Sequence, residues 1–157
     1  MKERYFPNDP AAPPPLRVTV ARRVRFEEAD PLGIVWHGRY ASYFEDARER
    51  LGDTFGIGYM AFFSRGFSIP IRRFTVDYLN PLAYPDELGI EAILHWSEAM
   101  RLNYEFIIRA RGIVCATGCC VHLMVKRDGR DRAVQLTVPD FYREILDRWR
   151  AGELNLS

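Results

Sequence analysis

With 157 residues, 48% of them hydrophobic and 27% charged, the chain has the length and balance of one ordinary globular domain. Folding at this length removes roughly 68 to 70% of the unfolded surface from water, which excludes disordered, collagen-like and disulfide-stapled classes. Lys and Arg number 22 against 21 Asp and Glu, for a net charge of +1 without basic clusters, so neither a nucleic-acid nor a membrane footprint is predicted.

In chain order, residues 1–16 hold Pro7, Pro10 and the run Pro13, Pro14, Pro15 among charged residues, and read as an extended arm before a single domain over 17–150. The arm has no apolar stretch of the kind a secretion signal needs. The longest uncharged segment, Gly112–Val125, has 14 residues and is too short to cross a bilayer, so a cytoplasmic protein is expected. Along Arg17–Phe26, Val18, Val20, Val24 and Phe26 alternate with Thr19, Ala21, Arg23 and Arg25, a strand pattern interrupted on its apolar side by Arg22. Glu27–Trp36 places Glu27, Glu28 and Asp30 ahead of Pro31 and Gly33, which makes a carboxylate-rich loop.

From about Gly38 the period becomes helical. Tyr40, Phe44, Ala47 and Leu51 form one stripe, Asp46 and Arg50 an i,i+4 pair, and Gly52 is the expected stop. Asp53–Ser68 is predicted as a loop with one short helical turn. Four alternating segments follow: Ile69–Leu79, Glu87–Trp96, Arg101–Arg111 and Ile113–Lys126. The links Ser97–Met100 and Arg111-Gly112 are short enough only for antiparallel hairpins. The last segment is apolar on both faces and therefore predicted to be internal, with Ala116, Gly118 and Cys120 small enough to admit a helix closely. Thr137 is expected to cap a closing helix with Pro139 in its first turn and Phe141, Ile145 and Trp149 on its apolar stripe. Cys115, Cys119 and Cys120 lack CxxC spacing and read as reduced, buried thiols rather than metal ligands.

Strand, long helix, four antiparallel strands and a terminal helix predict an α+β fold: a curved antiparallel five-stranded sheet wrapped around one long central helix, plus a C-terminal helix. Pairing the exposed sheet edges across a two-fold axis predicts a homodimer or homotetramer.

The run Phe26-Glu-Glu-Ala-Asp30-Pro-Leu-Gly33-Ile-Val-Trp-His37-Gly-Arg-Tyr40 resembles the signature of hot-dog-fold acyl-CoA thioesterases of the 4-hydroxybenzoyl-CoA thioesterase class, including its Tol-Pal-associated branch. The shared elements are Asp, two residues, Gly, two apolar residues, an aromatic and His, with Tyr three positions later. The resemblance extends over about residues 17–128, and it implies the hot-dog fold and hydrolysis of acyl-CoA, with short-chain or aromatic acyl groups, to free acid and CoA. It implies no cofactor and no metal, and admits an acyl carrier protein as the alternative acyl donor. By the same resemblance Asp30 is the nucleophile or general base, and the His37 backbone N–H at the start of the long helix is the oxyanion donor. Gly33, Ile34, Trp36 and Tyr40 adjoin the substrate. The chemistry is coherent, since thioester hydrolysis needs a nucleophile or base at the carbonyl carbon and donors aimed at the developing oxyanion.

Read on its residues alone, Asp-Pro-x-Gly is also an ordinary turn whose carboxylate bonds its own backbone. Glu45, on the long helix, is the alternative nucleophile or base; otherwise it and Asp46 form a solvated face paired with Arg48 and Arg50. Arg72, Arg73, Arg101, Arg109, Arg111, Lys126 and Arg127 are candidates for the CoA phosphates, and Trp36, Tyr40, Tyr59, Phe62, Phe63 and Phe67 for an acyl tunnel. The rival functions are a hot-dog hydratase or dehydratase and a non-catalytic acyl-thioester binding module.

Overall fold

The computed structural model describes residues 5–127 and 137–154. Strand β1 spans Leu16–Arg23, and after a loop the chain enters α1, Tyr40–Phe55, through one 3-10 turn at His37–Arg39. The predicted stripe is buried, joined by Tyr43 and Phe55. The helix runs a turn past its expected stop. Gly52 is not a cap but a packing residue, because a Cβ there would lie 2.6 Å from the Gly58 Cα. Gly56, left-handed at φ 72°, ends the helix instead.

The anticipated helical turn in the following loop is α2, Tyr59–Phe63, and beyond it lie β2, Phe67–Ser68, and β3, Ile71–Tyr78. Strands β4, Glu87–His95, β5, Arg101–Ala110, and β6, Ile113–Leu123, form the expected hairpins. The five-stranded sheet is antiparallel throughout in the order β1-β4-β5-β6-β3, so β6 is internal, as its two-sided apolarity predicts. The expected long last strand breaks at Met124. Residues Val125–Lys126 then pair with β2 as the short strand β7 in a separate two-stranded sheet, a non-local pairing without a local pattern.

Helix α1 packs on the sheet with Phe44 stacked on Phe106, ring centroids 4.5 Å apart and planes 7° from parallel. Gly118 of β6 lies directly beneath, as its size predicts: a Cβ there would come within 2.5 Å of the Phe44 ring. Helix α3, Asp140–Arg150, closes the core. Its N-cap position is Pro139 with no side-chain cap, so Thr137 does not cap it, and the buried stripe is Tyr142, Leu146 and Trp149, with Phe141 and Ile145 only partly buried beside it. From Tyr5 onward the arm is docked on the domain. The Tyr5 hydroxyl bonds Asp77 and Thr117, the Phe6 ring lies 5.2 Å from His95, and the Trp149 indole N–H donates to the Pro14 carbonyl at 2.8 Å.

All three cysteines are free and buried. Cys120 faces His122, whose Nε2 is 3.2 Å from the Cys120 sulfur and whose Nδ1 is 2.8 Å from the Ile69 carbonyl oxygen. A carbonyl only accepts, so Nδ1 carries the proton and Nε2 receives the thiol hydrogen. Burial pushes the imidazole down to about 4 and the Cys120 thiol up to about 11. Above the ordinary histidine value near 6.5 both folded and unfolded states are neutral at this site. Between 6.5 and 4 only the unfolded state binds the proton, so stability falls with pH. By pH 5 the loss from this group should reach about 2 kcal/mol, above the range in which carboxylates titrate. Urea denaturation at pH 7.5 and pH 5 should show that decline, and His122→Asn should flatten it; an unchanged slope in the variant would assign the dependence to another group.

Candidate active site

The segment between β1 and α1 is organised from its carboxylates inward. Strand β1 stops at Arg23 rather than at Phe26, because Phe26–Glu28 turns into a single 3-10 helix that exposes the Phe26 ring and buries Glu28. The Glu28 carboxylate accepts the Arg22 guanidinium at 2.6 Å, the Arg25 backbone N–H at 2.8 Å and the Tyr43 hydroxyl at 2.8 Å. Burial pushes this carboxyl up, yet the Arg25 amide, Tyr43 hydroxyl and Arg22 cation together outweigh it and hold Glu28 below the ordinary carboxylate range. Arg22, the interruption in the apolar face of β1, is thereby explained. It also bonds Asp46 of α1, replacing the expected Asp46–Arg50 pair.

The next residues form a closed loop. Ala29 and Val35 make an antiparallel bridge, the Trp36 N–H donates to the Glu28 carbonyl at 2.9 Å, and the Val35 N–H to the Leu82 carbonyl at 2.7 Å. Inside it the Gly33 N–H donates to the Asp30 carbonyl at 2.9 Å, with Gly33 at φ 78°, a conformation that favours glycine. The Leu32 N–H donates to Asp30 Oδ1 at 2.8 Å. The two readings of Asp-Pro-x-Gly therefore coexist: one carboxylate oxygen shapes the turn, and among the described residues the other takes no hydrogen bond.

Asp30 opens into a cleft of about 480 Å³ together with Ile34, His37 and Tyr40. The opposite wall is Tyr78, at the end of β3, and the residues that follow it to Pro81. The Tyr78 hydroxyl donates to the His37 carbonyl at 2.8 Å and its ring meets Tyr40 edge to face at 4.8 Å. Burial pushes the Tyr40 phenol up to about 12, so it stays protonated at neutral pH. His37 is the first residue of its 3-10 turn, a position whose N–H has no intrahelical acceptor. Gly38 makes room for the Trp36 indole, which a Cβ would approach to 2.3 Å, and the indole lies 5.0 Å from the His37 ring. Of the four residues expected beside a substrate, Ile34 and Tyr40 line the cleft. Gly33 shapes its loop, and Trp36 lies outside the cleft wall.

Glu45 opens elsewhere. It lines a separate cavity of about 210 Å³ with Phe44, Phe74, Phe106 and Cys120, and pairs with Arg48 at 3.3 Å as expected. The six aromatics suggested for a tunnel do not form one. Phe62 is core, 4.9 Å from Phe141 of α3, while Tyr59 and Phe63 stack on each other at the surface. Among the candidate phosphate arginines, Arg109 pairs with Glu91, Arg111 with Asp86, and Arg127 donates to the Phe63 carbonyl. Arg72, Arg73 and Arg101 enter no ion pair among the described residues. Tyr78 and Glu28 were not singled out by sequence reasoning: Tyr78 acts across 41 positions, and for Glu28, whose partners lie 3, 6 and 15 positions away, only Arg22 on an apolar face hints at a buried carboxylate.

Among the described residues no three His, Cys, Asp or Glu side chains converge as a metal site, and no helix is long and apolar enough to cross a membrane. The family model described as thioesterase-like superfamily matches residues 24–146, a span that includes the whole loop and cleft just described. The chain belongs to the thioesterase-like superfamily. Membership places it among thioester-cleaving enzymes. This thioesterase-family chain is 30% identical over 105 residues to a protein of Aquifex aeolicus named "Putative esterase", covering 67% of this chain and 82% of that one. It is 29% identical over 69 residues to the acyl-CoA thioester hydrolase YbgC of Escherichia coli O6:H1, a match spanning 44% of this chain and about half, 52%, of that protein. The DHNA-CoA thioesterase of Staphylococcus aureus superposes with a TM-score of 0.75 at 22% identity, covering 90% of this chain and 97% of that one. The likeness to that structure concerns the fold, which is the hot-dog arrangement anticipated from the sequence.

Proposed function

We propose that the protein hydrolyses acyl-CoA thioesters, with Asp30 as nucleophile or general base and the His37 backbone N–H as oxyanion donor. The observation that carries this reading is the shared cleft: Asp30, one of whose carboxylate oxygens takes no hydrogen bond among the described residues, opens into the same space as the first turn before α1. As nucleophile, the Asp30 oxygen attacks the carbonyl carbon, the C–S bond breaks to release CoA thiolate, and water opens the resulting anhydride. As base, Asp30 takes a proton from water, whose oxygen forms the new C–O bond; the C–S bond then breaks, and CoA leaves as the thiolate, which takes up the proton held by Asp30. In either route negative charge gathers on the carbonyl oxygen, where an N–H at a helix entrance is worth most. Ile34, Tyr40 and Tyr78 would flank the acyl group, and Arg72 and Arg73 on β3, which enter no ion pair among the described residues, would meet CoA phosphates. Thiol release measured on benzoyl-, phenylacetyl-, short- and long-chain acyl-CoA, and on an acyl carrier protein thioester, tests the reading and ranks acyl groups. Loss of crotonyl-CoA absorbance without thiol release would favour a hydratase, and tight binding without turnover a binding module.

We further propose that two copies pair along β3. It is an edge strand that leaves Ile71, Phe74 and Tyr78 substantially exposed, an arrangement that invites strand addition. Sedimentation at micromolar concentration should give a dimer, or a tetramer built from it, and a monomer would overturn the pairing.

A further inference from the structure

We infer that Glu28 is a positioning residue for this site: its buried carboxylate fixes the loop carrying Asp30 against the helix whose entrance carries His37. The inference rests on Asp30 acting as proposed above. Glu28 is 2% exposed, and its three hydrogen-bond donors come from three separate pieces of the chain: Arg22 on β1, Arg25 at the loop's start and Tyr43 on α1. The clamp is reinforced, since Arg22 also bonds Asp46 one turn further along α1 and its guanidinium sits 4.6 Å over the Tyr43 ring. Through its backbone carbonyl Glu28 holds the N–H of Trp36, the residue immediately before His37. One residue thus grips α1 with its side chain and the far end of the loop with its main chain, two positions from Asp30.

Stability alone does not call for this arrangement. A buried ion pair is often matched or bettered by well-packed apolar side chains, because removing both charges from water is costly. What the carboxylate adds is direction, since three converging donors permit one loop placement and an apolar contact permits several. Glu28 does not line the Asp30 cleft, so any effect on turnover passes through the placement of the Asp30 carboxylate. A carboxylate displaced by about an ångström from its working position costs up to roughly a hundredfold in rate.

The test compares Glu28→Gln and Tyr43→Phe with wild type, each also in an Asp30→Asn background, by acyl-CoA hydrolysis and thermal unfolding. Glu28→Gln presents an amide N–H₂ to donors and should lower kcat about tenfold or more with KM within about twofold. Tyr43→Phe leaves the Arg22 and Arg25 bonds in place, should fold normally, and should lower kcat by about three- to fivefold. In the Asp30→Asn background neither change should reduce the residual rate further, because there is no working carboxylate left to misplace. A purely structural role would lower the rate by the same factor in both backgrounds, in step with the folded fraction, and would overturn the inference. So would an unchanged kcat in Tyr43→Phe, which serves as the deciding variant should Glu28→Gln not fold. Asp30→Asn at wild-type rate would overturn the function reading and this inference together. A collapse in Asp30→Asn with unaltered Glu28→Gln and Tyr43→Phe would overturn the inference alone.

Discussion

Asp30→Asn should lower kcat for acyl-CoA hydrolysis by about 10² to 10⁴-fold, the usual contribution of a positioned acid or base, while the protein stays folded. The substitution is close to a pure test of charge. Asparagine keeps a side-chain oxygen for the Leu32 N–H and so keeps the turn that Asp30 shapes, with Gly33 at its positive φ unaffected. The stability change should stay within about 1 kcal/mol, since one neutral hydrogen bond replaces one charge-assisted bond at a partly exposed site. Thiol release at saturating substrate, with a thermal melt of the same preparation, reads both quantities. The parallel variant Glu45→Gln alters a carboxylate in a different cavity and should leave kcat within about twofold of wild type. Reversal of that order, with Glu45→Gln inactive and Asp30→Asn active, would move the chemistry to the α1 cavity beside Phe74 and Phe106.

Asp30 stands out in the sequence through the resemblance of its motif to the thioesterase signature, since on its residues alone the segment reads as a turn. The loop from Glu28 to Trp36 closes on itself through turn and bridge hydrogen bonds, so its shape is local. The β4–β5 and β5–β6 hairpins were legible for the same reason, and the period-two pattern of β4 fixes which face is buried. The parts that were not legible depend on partners far away in the chain. Tyr78 reaches the His37 carbonyl across 41 positions, and the β2–β7 pairing joins Phe67 to Lys126. Asp46 chose Arg22 over Arg50 because the β1 arginine already enters the core to neutralise Glu28, whereas an exposed i,i+4 pair offers little to compete with it. Gly52 misled because a glycine near a helix end reads as a cap when only the local chain is considered; its reason is the backbone of Gly58 pressed against it.

Gly118→Ala should be the most damaging single methyl in the sheet. The added Cβ would lie 2.4 Å from the Thr75 carbonyl oxygen and 2.5 Å from the Phe44 ring, and neither neighbour can yield easily. Thr75 is held in the β3–β6 ladder opposite Cys119, and the Phe44 ring is locked against Phe106. Overpacking of this kind typically costs 1 to 3 kcal/mol, and a clash with backbone belongs at the upper end, about 3 kcal/mol. For a domain of this size that corresponds to a fall in Tm of roughly 6 to 12 °C. Relief of the Phe44 contact comes by lifting α1 from the sheet, and Tyr40, one turn before Phe44, lines the Asp30 cleft; kcat/KM should therefore fall along with Tm. Gly89→Ala is the control, because a Cβ at that strand position meets only the Thr19 methyl at 4.0 Å. It should leave Tm unchanged or raise it slightly through the loss of unfolded-state freedom. Equal losses at Gly118 and Gly89 would mean that strand glycines here matter for backbone conformation, whereas loss at Gly118 alone would tie both stability and turnover to the closeness of α1 to β6.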